Sequence, residues 1–557
     1  MYIAVTRKKY KDTYHEQTLL RESYREDGKV KTRTIANLTK QPKEQVAAIA
    51  VALKNKDEIP ITTKNQSQGF TAVFSMLILF MMKLQGVSKA IGSSFEAKIA
   101  LMLIAARITL QSSRLQALYW AKSEDKILDL LKFNRQEKER LTDKTVYKGL
   151  DYIQENQNKI EERLFKTYYK NNPPKRLFYD VTSSYVEGDY CDSELVAYGY
   201  NRDGKKGKAQ VVIGLLTDEE GHAVSIHTYK GNTNDVKTFG DQLDKLKNRF
   251  KLENITIVGD GGMIKSDDIA TIKEMGYDYI TSIGKPSIQK LIDEEGLAID
   301  MTLFDEDLKE VIENETRYIL RQNPARRDEI RVSRDARIES IKAFIKEKTD
   351  YYNTHYKAKS ETLLRNMDKK IASLKLTAFI SYEIVYEEGD CQINHKDGSD
   401  TTKTKLLAEV TLLIDKEARE EIEKLDGCYV IKTSLIDSSK DTKEDIHKAY
   451  KTLIKVENAF KTLKTDYLEI RPLYLKTDKR IQGHIALSML AYNIVLGLKE
   501  YISLSKLDFK STIRELTTIK TVINTINHTM SFETIPSVNE RLSRLFEQMK
   551  FKMPSKI

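Results

Sequence analysis

Three acidic residues occupy positions where a carboxylate is unusual, and together they suit metal-dependent phosphoryl chemistry. Asp180 lies in the apolar run LFYDVTS, Asp260 ends the run ITIVGD before two glycines, and Glu457 lies in a helical stretch over 441–464. A carboxylate within an apolar segment is costly unless it is paired or holds a cation. Residues at the carboxyl ends of strands in α/β sheets commonly face a ligand. Three converging carboxylates would suit Mg²⁺ or Mn²⁺, which prefer oxygen ligands.

Each acid alone admits a simpler explanation. Asp180 could cap a strand end, Asp260 could belong to an Asp-Gly turn, and Glu457 could form a salt bridge with Lys461 or Lys464. Glu457 also falls, at helical spacing, within an apolar stripe, which predicts that it faces the core. The stripe consists of Ile446, Tyr450, Leu453, Phe460 and Leu463. With all three acids present, two bound ions could activate a water and stabilise a leaving oxygen.

The elements that must position these acids follow from the periodicity of the chain. The runs RLFYDVTS, KAQVVIGLLTD, HAVSIHTYKG, NITIVGDGG and YDYITSIGK predict strands, and Gly221 marks a turn between the second and third. Helices are predicted over 235–250 and over SDDIATIKEMG, where Ser266 would be the N-cap. The order predicts a mixed sheet covered by helices.

The rest of the chain alternates between helical and strand-like segments. Residues 1–40 predict strands with a hairpin turn at Asp27-Gly28, and the segment up to Asn171 is helical. Residues 286–376 predict charged helices that include a long pair, 377–434 predict strands, and 483–502 and 510–526 predict helices. The predicted domains are a β-hairpin segment 1–40, a helical DNA-binding region 41–172, a core in two parts at 173–285 and 435–505, an α+β insertion domain 286–434 and a helical tail 506–557.

Composition excludes several classes of protein. The 557 residues include 92 Lys and Arg against 82 Asp and Glu, so the net charge of +10 is mild for this length. Three scattered cysteines do not form a disulfide framework or a cysteine zinc site, which favours a reduced, intracellular protein. The apolar run 70–82 is shorter than the ~20 residues that cross a bilayer, so it predicts a buried helix and no membrane role.

Basic residues cluster in two places beside the acids. The glycine-rich loop 198–210 could follow a phosphate backbone, although a solvated turn is the alternative. The segment after the Glu457 helix adds a second cluster with interleaved tyrosines. The candidate DNA contacts are Arg202, Lys205, Lys206, Lys208, Tyr450, Lys464, Arg471, Arg480 and His484, with Lys476 and Lys479 nearby.

Several strings in this order resemble a known family. FYDVTS, YGYNRDGKKGKAQVVIGL, GNTND, IVGDGGM and YKTLIKVENAFKTLK followed by EIRPLYLKTDKRIQGHI resemble the DDE transposases of bacterial insertion sequences, in the IS-four-like superfamily. The resemblance implies a ribonuclease H-like catalytic core in which Asp180, Asp260 and Glu457 form the catalytic triad and hold two Mg²⁺ (or Mn²⁺) ions. It also implies DNA with terminal inverted repeats and target DNA as partners, a homodimer on paired transposon ends, and a cytoplasmic, nucleoid-associated bacterial location.

The family signature around the glutamate matches with one departure. Tyr450, Glu457 and Lys464 occupy its places, but Leu453 stands where the family has arginine, and Lys455 lies on another helix face. This departure leaves the arginine's phosphate contact unassigned.

The expected function is therefore that of a cut-and-paste DNA transposase. The N-terminal region, about 1–150, would bind the inverted repeats, and related enzymes cut through a hairpin at the transposon end. A displaced base would then stack on Tyr351, Tyr352 or Tyr356 of the insertion rather than on Trp120. A catalytically silent domesticated transposase that acts as a regulator, and a structure-specific metal-dependent nuclease, are the alternatives.

Overall fold

Two units make up the chain in its computed structural model, which describes residues 1–10, 13–54, 63–66, 72–123, 125–293, 299–394, 400–526 and 530–553. The first unit combines Met1–Phe74 with Lys510–Ile557, and the second is Ser75–Phe509. The expected mixed α/β class is confirmed, with a large mixed sheet and abundant helix.

The first unit begins with an antiparallel sheet of β1 (Tyr2–Tyr10), β2 (Thr13–Glu26) and β3 (Lys29–Asn37). The hairpin predicted at Asp27-Gly28 is confirmed, because both residues adopt the positive φ angles, 51° and 74°, that this tight turn needs. Helix α1 (Lys43–Lys54) and strand β4 (Thr63–Gln66) follow.

Helices occupy the chain from α2 (Ala72–Leu84) onward, as predicted. They continue as α3 (Val87–Ile91), α4 (Phe95–Leu110), α5 (Arg114–Ser123), α6 (Asp125–Leu130), α7 (Arg135–Arg140) and α8 (Lys148–Tyr168). The described apolar residues of α2 are largely buried, so this run is a core helix as expected. Helix α4 is buried over most of its length and packs against α8.

The large sheet starts with the strands that the sequence predicted. They are β5 (Arg176–Tyr185), β6 (Gln210–Thr217) and β7 (Ala223–Lys230), then α9 (Asp235–Asp244) with a π-helical turn Lys245–Arg249, β8 (Thr256–Gly259), α10 (Ser266–Glu274) and β9 (Asp278–Ile283). Strands β5, β6 and β7 are antiparallel, whereas β8 and β9 run parallel to β5. Lys265, and not Ser266 as predicted, is the N-cap of α10.

Strand β5 lies between β6 and β8, which explains its apolar sequence. One face of the strand carries Leu177, Tyr179 and Val181 into a cluster with Phe239 of α9 and Ile272 of α10. Burial of a central strand on both faces is typical of a sheet covered by helices on two sides. The alternate residues of β5, which include Asp180, point to the other face.

The segment after β9 extends the same sheet. It contains α11 (Lys285–Asp293), β10 (Lys309–Glu313), β11 (Thr316–Gln322), α12 (Pro324–Thr354), α13 (Ser360–Ser373), β12 (Ile380–Asn394), β13 (Asp400–Ile414), α14 (Lys416–Lys424) and β14 (Cys428–Thr433). The strand order is β10-β11-β14-β9-β8-β5-β6-β7. The prediction of helix throughout 286–376 is wrong at β10 and β11, which form a hairpin within it.

Helices α12 and α13 pack with the β12–β13 hairpin around a core of their own. Ile341, Met367, Ile371 and Phe379 lie at its centre. The predicted long helix pair is confirmed, and so are the strands expected within 377–434. The second unit therefore holds a local core in addition to the one beneath the large sheet.

The stretch predicted as one helix over 441–464 is interrupted. It consists of α15 (Lys443–Lys451), α16 (Ile454–Lys461) and a π-helical turn Thr462–Asp466. Helix α17 (Asp478–Leu504) follows and packs against α4, α8 and β7. Where it crosses α8, a Cβ at Gly483 would lie 2.2 Å from the backbone oxygen of Leu150.

These helix contacts explain where the second unit begins. Helices α4 and α8 share a hydrophobic interior with α17 and the sheet, so the helical region from Ser75 belongs to the second unit. Among the described residues, α17 is the helix that is long and apolar enough to cross a membrane, but 89% of its most apolar window is buried inside the fold. Its apolar sequence is that of a core helix.

The chain ends with α18 (Phe509–Thr518), β15 (Val522–Ile526), β16 (Met530–Thr534) and α19 (Glu540–Met549). The predicted helix over 510–526 is wrong beyond Thr518, because β15 is a strand that pairs with β16 and with β4 of the N-terminal segment. This pairing joins the two ends of the chain into the first unit.

Candidate active site

Asp180 lies in the middle of β5 and is half-buried. Its Oδ1 accepts a hydrogen bond of 2.8 Å from the backbone N–H of Val181. The neighbours Tyr179 and Val181 point to the opposite, apolar face of the sheet. The strand therefore fixes Asp180 on the face that α16 covers.

Asp260 follows β8 directly and lies beside Asp180. Tyr179 pairs with Gly259 in the parallel ladder of β5 and β8, so the next residue on each strand is an aspartate, on strands ~4.8 Å apart. Oδ1 of Asp260 accepts hydrogen bonds from the N–H of Gly261 at 2.8 Å and from Oγ of Ser282 at 3.1 Å.

Gly261 is required for the close approach of this turn to β9. A Cβ at this position would lie 2.2 Å from the backbone oxygen of Ser282, which no side chain can accept. The approach brings Ser282 against Asp260 and so limits the orientations of that carboxylate.

Glu457 lies in the first turn of α16, the helix that packs on β5 and β6. The buried face of α16 is formed by Val456, Ala459 and Phe460, whereas Glu457 is exposed. The prediction that Glu457 belongs to a buried stripe is therefore wrong. The prediction assumed one continuous helix. The helix breaks after Lys451, so the residues of α16 that face the core are not those that a continuous helix would bury.

The pKa of Asp180 reflects the charges of the two other acids. Burial, together with the negative charges of Glu457 and Asp260, raises the pKa of Asp180 to about 6. The Val181 N–H and the charge of Arg202 act in the opposite direction. Asp180 thus lies within electrostatic reach of both other carboxylates.

Tyr450 of α15 contacts the same group. Its hydroxyl donates a hydrogen bond of 3.3 Å to Oδ1 of Asp260. Burial raises the pKa of Tyr450 to about 12, with the charges of Asp260 and Glu457 adding to the shift and a hydrogen bond to Ser282 opposing it. The phenol therefore remains a neutral donor that holds the Asp260 carboxylate.

Two expected DNA contacts are instead joined to a buried aspartate that the sequence reasoning missed. Nζ of Lys464 lies 2.7 Å from Oδ1 of Asp203, and Arg471 pairs with the same oxygen. The side chain of Asp203 is 2% exposed. Its neighbour Arg202 is half-buried, and the backbone N–H of Arg202 donates to Oγ of Ser183 on β5 at 3.0 Å. The two cations therefore anchor the 201–208 loop beside the acids.

The remaining basic candidates fall into different environments. Lys205 and Lys206 are exposed, and Lys208 forms an ion pair of 3.1 Å with Glu187. Arg480 lies 3.5 Å from Asp151 and 4.7 Å from the ring centroid of Tyr147.

His484 is wrong as a DNA contact. His484 lies within α17 and is only 3% exposed. Burial lowers the pKa of His484 well below its usual range, so the ring is neutral and shielded from solvent. The mutual packing of α4, α8 and α17 is what buries it.

The tyrosines of the insertion that were candidates for stacking on a displaced base differ in their exposure. Tyr352 is 5% exposed, and its hydroxyl donates to the backbone oxygen of Leu406 at 3.0 Å, so it is a core residue. Tyr351 and Tyr356 are exposed, and Trp120 is buried.

Lys455 does not replace the arginine absent at position 453. Its Nζ donates to the backbone oxygen of Glu219, on a different side of the helix from Glu457. Leu453 itself is the half-buried N-cap of α16. The positive charge that acts on Asp180 comes instead from Arg202.

The three acids offer oxygen donors suited to a divalent cation. Within the described ranges, no three acidic, histidine or cysteine side chains converge closely enough to enclose a metal ion. The chemistry of the donors nevertheless fits, because a half-buried Asp180 beside two like charges would be stabilised in its ionised form by a bound cation.

Comparison with known families gives two matches. The family described as "Transposase DDE domain" matches residues 172–494, and the family described as "IS1634 family transposase, N-terminal domain" matches residues 3–61. The first match covers more than half of the chain and includes all three acids. A comparison with curated protein sequences gives no significant match.

Solved structures are similar at low sequence identity. A piggyBac transposase synaptic complex with hairpin DNA aligns with a TM-score of 0.37 and 8% identity, over 80% of this chain and 77% of that chain. A Mos1 transposase paired-end complex with the left transposon end aligns with a TM-score of 0.14 and 11% identity, over 30% of this chain and 58% of that chain. Both alignments are too distant to assign residues.

Proposed function

Because the chain belongs to the DDE transposases of insertion sequences and is thus a DNA transposase, we propose that it binds terminal inverted repeats and catalyses metal-dependent strand cleavage and strand transfer. The observation that carries this proposal is that Asp180 and Asp260 lie on neighbouring parallel strands and that Glu457 lies on the helix that packs on β5. They come from β5, from the end of β8 and from α16, and the latter two raise the pKa of Asp180. A carboxyl whose pKa is raised by burial and by neighbouring acids, as for Asp180, is typical of a functional site.

Asp180, Asp260 and Glu457 would hold the divalent ions, Mg²⁺ or Mn²⁺, on which this family generally depends. Two such ions supply an activated water and stabilise the leaving oxygen of an in-line displacement at phosphorus. The chain's own contribution is to orient the carboxylates. Asp180 is fixed by its central strand, and Asp260 is oriented by the hydroxyls of Tyr450 and Ser282.

The loop that carries Arg202, Lys205 and Lys206 would position the DNA backbone. The ion pairs of Asp203 with Lys464 and Arg471 hold this loop in place, and Lys205 and Lys206 are exposed on it. Contacts of this kind fix the register of a protein on DNA without reading its sequence. Lys464 and Arg471 thus act on the DNA through the loop that they hold.

We assign the core a ribonuclease H-like fold divided into residues 173–285 and 435–505, with residues 286–434 as the insertion. The consecutive strands β7-β6-β5-β8-β9 support this assignment, because they carry Asp180 on the middle strand and Asp260 after its parallel neighbour. Strands β10, β11 and β14 of the insertion continue the sheet, and α12, α13, β12 and β13 form its separate core.

The N-terminal region, about 1–150, would recognise the inverted repeats, with residues 1–40 as a β-hairpin segment and 41–172 as a helical DNA-binding region. Joining two ends to target DNA requires two active sites, so we propose a homodimer on paired ends. Cleavage would follow the cut-and-paste route, with a hairpin at the transposon end. The protein would act in the bacterial cytoplasm on nucleoid DNA.

The experiment uses purified full-length protein and duplex DNA that carries the repeats found beside its coding sequence. Wild type should cleave this DNA with Mg²⁺ and join the ends to a target plasmid. Asp180→Ala, Asp260→Ala and Glu457→Ala should each lose more than about a thousandfold in cleavage rate, because each removes a charge that stabilises the transition state. DNA binding, measured by fluorescence anisotropy, should persist.

Asp267→Ala is the matched control, since Asp267 is an exposed acid in the first turn of α10. It should cleave like wild type. Near-normal cleavage by any of the three acid variants would refute the triad. Wild-type binding without cleavage would indicate a regulator, and cleavage without joined products would indicate a nuclease.

A further inference from the structure

The β2–β3 hairpin extends beyond the end of β1. Strand β1 pairs with β2 only as far as Arg21. From there, residues 21–26 pair with residues 29–34 in a two-stranded antiparallel ribbon. Every residue over 23–35 is exposed, so both faces of the ribbon are open to solvent along this stretch.

A ribbon of this kind fits the major groove of DNA. Neighbouring strands lie ~4.8 Å apart, and the groove of B-DNA is about 12 Å wide, which leaves room for two strands and their side chains. Each strand contributes six residues. At ~3.4 Å for each residue, they extend along about six base pairs. The ribbon is therefore long enough to contact several base pairs in one groove.

The two faces of the ribbon differ in charge. Residues directly opposite each other in an antiparallel pair point to the same face. The first face carries Arg21 opposite Thr34, Ser23 opposite Thr32 and Arg25 opposite Val30, and the second carries Glu22 opposite Arg33, Tyr24 opposite Lys31 and Glu26 opposite Lys29. Both glutamates of the ribbon therefore lie on the second face, and the first face is composed of basic, hydroxyl and apolar residues.

Two cations of the second face are held by these glutamates. Nη2 of Arg33 lies 2.7 Å from Oε2 of Glu22, and Nζ of Lys31 lies 2.8 Å from Oε2 of Glu26. On the first face, the exposed Arg25 forms no ion pair with any residue that the structure describes. A polyanion is attracted most strongly where positive charge is not compensated, so the first face is the one that suits DNA.

The side chains of the first face have the chemistry that reads bases in the major groove. Arg25 can donate two hydrogen bonds to O6 and N7 of a guanine. The hydroxyls of Ser23 and Thr32 can bond to several base edges, and the apolar Val30 can contact the methyl group of a thymine. Because side chains alternate between faces, successive pairs on this face lie ~6.8 Å apart, which is the rise of about two base pairs.

We propose that the ribbon lies in the major groove of the terminal repeat, with its first face towards the bases and Arg25 bound to a guanine. This proposal rests on the proposed function, because it takes the DNA end as the ligand and names the surface that recognises it. The ribbon lies within residues 3–61, which match the N-terminal domain of IS1634 family transposases. Strands in a groove are an established way to read duplex DNA.

The test is the preference of the full-length protein for its own end, measured in EDTA so that the readout does not depend on cleavage. Fluorescence anisotropy gives the Kd for the repeat duplex found beside the coding sequence and for a duplex of the same base composition in scrambled order. Arg25→Ala should lower the ratio of the two affinities about tenfold, as for one lost bidentate contact to a base.

Arg33→Ala is the matched control, because it removes the same group from the second face of the same ribbon. Its ratio of affinities should stay within about twofold of that of wild type. Arg25 and Arg33 are both exposed, so thermal unfolding of both variants should match that of wild type.

A scan with a base analogue identifies the contact itself. Each guanine of the repeat is replaced in turn by 7-deazaguanine, which lacks the N7 acceptor of the major groove. At one position this replacement should weaken binding of wild type about fivefold. It should have no further effect on Arg25→Ala, because that variant has already lost the contact.

Three outcomes would overturn the ribbon proposal: an unchanged ratio in Arg25→Ala, an equal fall in Arg33→Ala, or wild-type binding that 7-deazaguanine weakens at no position. Failure of the two ideas is distinguishable. Protein that prefers its end through Arg25 but never cleaves it would contradict the transposase mechanism alone. Protein that cleaves its ends while Arg25→Ala keeps the full preference would contradict only the ribbon. A wild type without any preference for its end would contradict both.

Discussion

The hydroxyl of Tyr450 donates to Oδ1 of Asp260 across 3.3 Å and thereby ties α15 to the end of β8. The two residues are 190 positions apart in the chain. The contact crosses from the segment before the insertion to the segment after it, so both parts of the proposed core contribute to the orientation of one carboxylate.

Tyr450→Phe should therefore reduce cleavage without unfolding the protein. The lost hydrogen bond is worth about 1 kcal/mol, which corresponds to a fall of roughly fivefold in the cleavage rate. Tyr429→Phe is the control, since Tyr429 bonds His447 of the same helix and does not touch the acids. A rate for Tyr450→Phe equal to that of Tyr429→Phe would show that the contact has no role in cleavage.

Asp203→Asn should destabilise the protein strongly. It removes the negative charge that compensates Lys464 and Arg471, and the loss of one partner of a buried pair costs about 3–5 kcal/mol. Denaturant unfolding of the full chain measures this change. Asp189→Asn, which breaks the exposed ion pair with Lys476, should leave the unfolding transition in place. Equal effects of the two variants would contradict the anchoring role of Asp203.

Lys455→Ala should cleave DNA within about twofold of wild type, because a surface hydrogen bond to Glu219 adds little to the active site. Arg202→Ala should cleave much more slowly, since the charge of Arg202 acts on Asp180. Steady-state cleavage rates of the two variants test this predicted order. The reverse order would mean that Lys455 supplies the missing arginine's contact after all.

His227 should make the protein less stable in acid. Burial lowers the pKa of His227 to about 4, with the charges of Lys245 and Arg249 adding to the shift, against an ordinary value of 6.5. The unfolded chain therefore takes up a proton first, and stability falls as the pH drops from 6.5 towards 4. The melting temperature of His227→Phe should fall less between pH 6.5 and pH 4 than that of wild type. Parallel pH profiles for the two proteins would contradict the buried, neutral histidine.

The sequence was sufficient for the elements that carry the acids. The apolar run around Asp180, the glycines after Asp260 and the helical run SDDIATIKEMG each have a local signature, so β5, β8 and α10 could be predicted. The hairpin at Asp27-Gly28 could be predicted for the same reason. Local patterns suffice where backbone conformation is decided by neighbours in sequence.

Long-range contacts decided the rest. Strand β11 pairs with β14, more than 100 residues later, and β10 in turn pairs with β11. The local sequence of this charged segment does not contain that pairing and therefore predicts helix. The break between Lys451 and Ile454 has no glycine or proline, so the sequence predicts one continuous helix with Glu457 on its buried face. The pairing of Asp203 with Lys464 joins residues 261 positions apart and leaves no local trace.

Metal rescue tests most directly whether Asp180, Asp260 and Glu457 hold the ions of one active site. Each acid is replaced by cysteine, and cleavage of end DNA is measured with Mg²⁺ and with a softer ion, Mn²⁺ or Zn²⁺. We expect all three variants to be inactive with Mg²⁺ and to regain cleavage with the softer ion, while Asp267→Cys cleaves like wild type with Mg²⁺. Full cleavage with Mg²⁺ by any of the three variants would contradict the proposed metal site.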